Sequence, residues 1–145
     1  MQRNRLNLVI DPWRIAEADF DPARVEAAES LFALGNGVMG GRANFEERYS
    51  GPSLQGNYIG GVYYPDKTRV GWWKNGYPEY FAKVLNAAFW IGVDVGVDGE
   101  PLDLATVAVK DFYRELDMRR SVLTRRMTVT MRSGAEISVE VVRFL

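Results

Sequence analysis

Glu29-Ser-Leu-Phe-Ala-Leu-Gly-Asn-Gly-Val-Met-Gly-Gly-Arg-Ala-Asn-Phe-Glu-Glu47 holds the densest cluster of glycines in the chain. Four of the chain's fourteen glycines fall within seven positions of it, followed by a short apolar–polar alternation and two adjacent carboxylates. Gly35, Gly37 and Gly40 satisfy G-x-G-x-x-G in form. The dinucleotide fingerprint also needs a preceding strand, a following helix, and an acid about twenty residues on. After Gly40 the chain has no 3.6-residue stripe, Gly51-Pro52 would break a crossover helix, and Gln55 to Ile59 hold no acid. Glycines serving a tight turn are the better reading.

Working outward, the 145 residues make one domain by size, with an ordinary 47% hydrophobic and 26% charged content. A net charge of −1 gives no electrostatic case for nucleic acid or an anionic membrane as partner. The first ten residues lack an apolar run long enough for a signal peptide, and no stretch reaches transmembrane length, so a cytoplasmic location is expected. The absence of cysteine excludes disulfides and thiol chemistry. The absence of histidine excludes the Ser-His-Asp triad and the usual zinc sites, and no cofactor or metal is expected.

Trp13 to Phe20 alternates as a strand, with Trp13, Ile15 and Glu17 on one side. Asp21-Pro22 is a helix start, and Ala23 to Leu34 has few breakers, so a short helix near residues 22–34 should end at Gly35. Val38 to Phe45 can form a strand weakened by its glycines. From Ser50 to Tyr80, turn residues interleave with Tyr58, Tyr63, Tyr64, Trp72, Trp73, Tyr77 and Tyr80, and only Tyr58 to Tyr64 reads as a strand. The rest of that stretch reads as a long loop with aromatic side chains.

Beyond Val84 the pattern is β. Ile91, Val93, Val95 and Val97 share a face, and Asp98-Gly99 is a two-residue hairpin turn setting Val97 against Glu100, Val95 against Leu102 and Val93 against Leu104. The same scheme sets Asp94 against Asp103. Val107 to Tyr113 makes another strand. In the last hairpin a three-residue loop, Arg132 to Gly134 with Gly134 left-handed, sets Val129 against Ile137, Met127 against Val139 and Arg126 against Glu140. The chain stops at Val141 to Leu145 inside a strand, as expected of a piece of a larger protein.

The carboxylate pair Glu46-Glu47 suggests glycosidase chemistry, but neighbours on a strand point to opposite faces, and solvated charge is the favoured reading. Asp94, Asp98, Glu100 and Asp103 as a calcium cage yield to the hairpin scheme. The aromatic loop reads as packing before ligand stacking. Composition and spacing reach a soluble β-rich domain with an aromatic loop.

The order of motifs resembles the amino-terminal domain of glycoside hydrolase family 65, which holds maltose, trehalose and kojibiose phosphorylases and their hydrolase relatives. The resemblance runs through Trp13-x-Ile-x-Glu17, the opening stretch to Gly37, Gly41 to Glu46, Asn57 to Tyr63, Val84 to Gly92, Val97 to Asp103, Tyr113 to Met118, Leu123 to Arg125 and Arg143-Phe144. Val38, Ala43 and the Ala88-Phe-Trp90 triplet depart from the family's usual residues. The resemblance implies a mainly β, antiparallel β-sandwich of the galactose-mutarotase-like supersandwich type. It divides the chain into an extension at 1–12 and a partial sandwich at 13–145, ahead of a helical (α/α)6 barrel. That barrel would carry the catalytic glutamate and phosphate site for inverting phosphorolysis of an α-glucoside to β-glucose 1-phosphate. The chain itself is then expected to be non-catalytic, packing on the barrel, shaping the sugar entrance and contributing to a homodimer or other self-association. Gly35, Asn36, Gly37, Arg42, Asn44 and Glu46 are motif positions expected to be structural and to face the barrel. An alternative is a stand-alone carbohydrate-binding sandwich using Tyr58, Trp72, Trp73 and Tyr77 as platforms. A third reading is self-association through unfinished sheet edges.

Overall fold

The computed structural model describes residues 8–67 and 78–145. It is mainly β with one short helix, and every paired strand is antiparallel among the described residues. The largest sheet holds β1 (Leu8–Asp11), β2 (Arg14–Ala18), β10 (Ala108–Asp117), β11 (Val122–Thr130) and β12 (Glu136–Arg143), in the order β1-β2-β10-β11-β12. Residues 8–11, expected in an extension, therefore supply the edge strand of that sheet.

The long strands follow the period of two that sequence alternation demands. Leu123, Arg125, Met127 and Val129 of β11 all point inward, as do Phe112, Arg114 and Leu116 of β10. Their apolar members form two packed groups, one around Phe45, Leu102, Leu104, Met127 and Val129, the other around Phe32, Ala43, Leu116 and Leu123. On β2, Ile15 and Glu17 lie opposite the inward Leu116 and Arg114 of β10, as expected, while Trp13 is half exposed before the strand begins and does not join that face. The cause is that Trp13 sits in the tight β1–β2 turn, where its N–H bonds the Asp11 carboxylate at 2.8 Å.

The β11–β12 register is the expected one: Val129 faces Ile137, Met127 faces Val139 and Arg126 faces Glu140, with Gly134 at φ +89°. Asp98 and Gly99 both have positive φ, and β8 (Gly96–Val97) pairs β9 (Glu100–Pro101) as expected of that turn. Leu102 N–H still bonds Val95 O at 2.9 Å, but Val93 does not meet Leu104. Val93 N–H bonds Glu46 O at 2.7 Å and Leu104 N–H bonds Arg48 O at 3.0 Å. The Glu46–Arg48 segment has taken both partners, and Arg48 bridges Asp103 in place of the expected Asp94.

Asp21 accepts from Ala23 N–H at 3.0 Å and Pro22 opens a 3-10 turn (Pro22–Arg24) that leads into α1 (Val25–Leu31). The helix ends one turn earlier than expected. Its Glu29 carbonyl accepts at 2.8 Å from Ala43 N–H, a bond to the strand region that replaces the next helical one. Leu34 already belongs to β3 (Leu34–Gly35), which pairs β4 (Met39–Gly41), which pairs β5 (Asn57–Ile59). The expected strand from Val38 to Phe45 is thus confined to three residues, and that from Tyr58 to Tyr64 is broken at Gly60-Gly61, with Gly61 at φ +79°. β6 (Tyr63–Lys67) continues past Tyr64 into the stretch read as loop, and it pairs β7 (Tyr80–Val84), which begins where that stretch ends; neither pairs another strand among the described residues. Pro65 fits there because each strand of a lone pair has a free edge. No helix among the described residues is long and apolar enough to cross a membrane.

Candidate functional site

The glycine stretch resolves into a hairpin. Asn36 Oδ1 accepts from Val38 N–H at 3.0 Å and Met39 N–H at 2.9 Å, and Gly37 takes φ +87°. The Asx turn and the left-handed glycine are what a two-strand reversal requires. Gly35 lies opposite Gly40, so these glycines hold backbone against backbone and open no helix.

Past the hairpin, the chain descends into a buried network of charges. Arg114, Arg125 and Arg143 occupy inward positions on three adjacent strands, and Arg114 sits directly opposite Arg125. Such a column would be untenable without counter-charges, because isolated ions lose their hydration on burial. Glu17 meets Arg114, whose guanidinium also lies 4.9 Å from the Phe32 ring centre. Arg125 donates to Glu47 Oε1 and to Glu46 Oε2, each at 2.8 Å. Arg143 donates to Glu46 Oε1, to Arg42 O at 2.9 Å and to Asn44 O. These bonds stitch the Arg42–Glu47 segment to the sheet.

Glu46 and Glu47 are therefore not solvated. The strand rule that aimed them apart does not apply, since both leave an irregular segment and converge on Arg125. Burial would raise the Glu46 carboxyl, but the Arg143 and Arg125 guanidiniums outweigh it and hold the group below the ordinary carboxylate range. Burial lowers the Arg114 guanidinium against the support of Glu17, whereas the Arg125 guanidinium is raised because its two glutamates overcome its burial.

Asn44 is equally committed, accepting from Gly56 N–H at 3.2 Å and donating to Ser53 Oγ and Leu54 O. Beside it the fully buried Glu29 accepts from Ser53 Oγ at 2.5 Å and Leu54 N–H at 2.7 Å. Arg42 reaches back to the helix, donating to Ser30 Oγ at 2.7 Å and Glu26 O at 3.1 Å. Arg42, Asn44 and Glu46 thus form one framework with the glycine hairpin. Sequence reasoning missed Arg114, Arg125, Arg143, Glu17 and Glu29. A signal was present for the arginines, since each interrupts an apolar alternation in the inward register.

Tyr58 lies on β5 opposite Gly40, is half buried, and lines a groove beside the glycine hairpin. Trp72, Trp73 and Tyr77 lie outside the described residues. Asp98 is a turn residue, Glu100 accepts from Arg132 and Ser133 N–H, and Asp103 accepts from Ser50 and Ala105 N–H. No group of acidic residues that could hold a metal occurs among the described residues.

Three concavities flank this framework. A polar cleft of about 400 Å³ runs between the Asn44–Gln55 segment and Phe89–Asp94. An apolar groove of about 330 Å³ lies between the glycine hairpin and Tyr63, Ala82 and Val84. A valine-rich groove of about 370 Å³ lies against Val139 and Val141 of the edge strand β12.

The sequence model described as glycosyl hydrolase family 65, N-terminal domain, matches residues 15–145. The chain is 49% identical over 136 residues to a maltose phosphorylase of Bacillus subtilis (strain 168), covering 94% of this chain and 18% of that protein. It is 33% identical over 142 residues to an alpha,alpha-trehalose phosphorylase of Thermoanaerobacter brockii, covering 93% and 18%. A solved structure from the human microbiome, provisionally assigned as a kojibiose phosphorylase, superposes with a TM-score of 0.83 at 33% identity, over 96% of this chain and 18% of that one. The chain spans less than a fifth of the length of these relatives.

Proposed function

From the premise that this chain belongs to glycosyl hydrolase family 65 as its N-terminal domain, we propose that it is the non-catalytic β-sandwich portion of an inverting disaccharide phosphorylase. The parent reaction on this reading is phosphorolysis of an α-glucoside such as maltose, trehalose or kojibiose to β-glucose 1-phosphate. The relatives' activities support the substrate class, and maltose is favoured by the 49% identity to the maltose phosphorylase.

The observation that carries the non-catalytic role is the state of Glu46 and Glu47. Inverting chemistry on a glycoside needs a carboxylic acid that keeps its proton at working pH and can reach the leaving oxygen. Glu46 is pushed the other way, and both glutamates are spent on Arg125 and Arg143. They hold the domain together and free neither group for proton transfer. The chain's part in the enzyme is to present the glycine hairpin and the exposed apolar grooves to the rest of the polypeptide. The paired strands β6 and β7, with Tyr63, Tyr64, Tyr80 and Phe81 exposed, supply a further contact surface, for the barrel or for a second copy.

The test incubates the purified chain with phosphate and each of the three disaccharides and measures glucose 1-phosphate. None should form. Release above a boiled control would overturn the non-catalytic role.

A further inference from the structure

The polar cleft has features that packing alone does not require. Residues 86–93 arch over it and are tied down at both ends. At one end Asn86 donates to Gln55 O at 3.1 Å and accepts from Asn57 N–H, while Ala87 N–H bonds Asn57 O at 2.7 Å. At the other end Val93 N–H bonds Glu46 O. The walls carry two aromatic rings, each seated on a glycine. A Cβ at Gly92 would come within 2.7 Å of the Phe89 ring, and one at Gly51 would collide with the Tyr49 ring. Both rings therefore lie where only glycine leaves room. Tyr49 is further braced edge-on by Phe45 at 5.3 Å between ring centres.

The polar lining decides the ligand class. Glu46 and Glu47 lie beside Arg125 and Arg143, so two carboxylates are balanced by two guanidiniums. Arg48 is 3.4 Å from Asp103, and Asp94 stands exposed on the arch. Arg48, the guanidinium that lines the cleft, faces Asp103, and Asp94 adds a further negative charge that disfavours a phosphate, while the paired carboxylates keep lone pairs that can still accept hydroxyl hydrogens. A mildly acidic cleft with carboxylate, amide and aromatic walls suits a neutral polyol over an anion. The C–H face of a pyranose stacks on a ring whose face is negative, and its hydroxyls bond the polar rim.

We infer that this cleft is an accessory binding site for a neutral glucosyl unit, with Phe89 as the stacking wall and Gln55 and Asp94 as hydroxyl partners. It deepens the phosphorylase reading, on which its sugar class rests, and it lies on this chain's own residues. The site would hold a disaccharide at the N-terminal domain without taking part in bond cleavage.

The 15N-labelled chain is titrated with maltose, trehalose and kojibiose and followed by amide shifts. Saturable shifts of Gly92, Asp94 and the Gln55 side-chain amide are expected in the millimolar range for at least one sugar. Affinity should fall at least fivefold in Phe89→Ala and in Asp94→Ala, and glucose 1-phosphate should bind no tighter than maltose. A flat titration with all three sugars, unchanged affinity in either variant, or tighter binding of the phosphorylated sugar would overturn the site. Should Phe89→Ala fail to fold, Gln55→Ala at an exposed position must show the same weakening, and unchanged affinity there also overturns it. Failure here leaves the non-catalytic reading standing, since that reading is judged by the phosphorolysis assay alone.

Discussion

Arg125→Met tests the buried charge network at its centre, where one guanidinium serves both Glu46 and Glu47. The arginine side chain is 4% exposed, and Glu47 opposite it is 3% exposed. Two bonds of 2.8 Å to Glu47 and Glu46 are lost, together with a guanidinium 4.9 Å from the centre of the Phe45 ring. Methionine nearly fills the volume, so the cost is chiefly the charge left on Glu47 with no remaining cation. Removing one partner of a buried ion pair costs about 3–5 kcal/mol. That is a large share of the roughly 5–15 kcal/mol that holds a domain of this size. With a urea slope of about 1.5 kcal/mol/M, the unfolding midpoint should drop by about 2–3 M. The assay is urea unfolding at pH 7 followed by tryptophan fluorescence. The double variant Arg125→Met/Glu47→Gln should recover a substantial part of the loss, because the stranded charge is gone. Arg125→Lys should fall between, since an ammonium cannot present the planar fork that serves two carboxylates. A cost below about 1 kcal/mol, or a double variant no more stable than the single, would refute a buried charge network as the organiser of the core.

Other expectations follow from the same coordinates. Glu46 titrates below its ordinary value in the folded state, so its contribution is complete above the unfolded value near 4.3 and is lost as pH falls through the folded one; unfolding midpoints should therefore fall on acidification below about pH 4, and Arg143→Met should blunt that fall. Burial and the 2.5 Å bond to Glu115 push the Tyr113 phenol up to about 12, so stability from this group is complete below about pH 10 and is lost as pH rises toward 12; phenolate absorbance should show a late step that disappears in Tyr113→Phe. Gly134→Ala places a Cβ at φ +89° and should cost about 1–2 kcal/mol by equilibrium unfolding, whereas Ala135→Gly beside it should cost less.

Short-range rules carried the last hairpin, the Asp98-Gly99 turn and the Asp21-Pro22 helix start, because turn chemistry and period-two alternation act over a few residues. The glycine stretch was legible for the same reason, since Asn36 and Gly37 make a reversal and nothing after Gly40 makes a helix. Long-range contacts defeated the other expectations. The helix end depends on Ala43, fourteen residues beyond Glu29, and the Val93–Leu104 pairing yields to backbone groups of Glu46 and Arg48. The solvated reading of Glu46-Glu47 failed because their partners lie on β11 and β12, 78 or more residues away in sequence. The arginines at 114, 125 and 143 could have been found, since each takes the inward place of an apolar residue and so demands an acid from elsewhere. The strand β7 and the end of β6 beyond Tyr64 escaped because their residues are almost all exposed and carry no alternation.

If these residues do the work of the sandwich in a family-65 phosphorylase, they should do it in place of a relative's own. A chimera in which residues 13–145 replace the matching segment of the Bacillus subtilis maltose phosphorylase should fold and release glucose 1-phosphate from maltose and phosphate at a tenth or more of the parent's rate, on the order of 1.4 kcal/mol or less in the barrier. A chimera that folds, as judged by circular dichroism and a cooperative melt, yet releases none would contradict it.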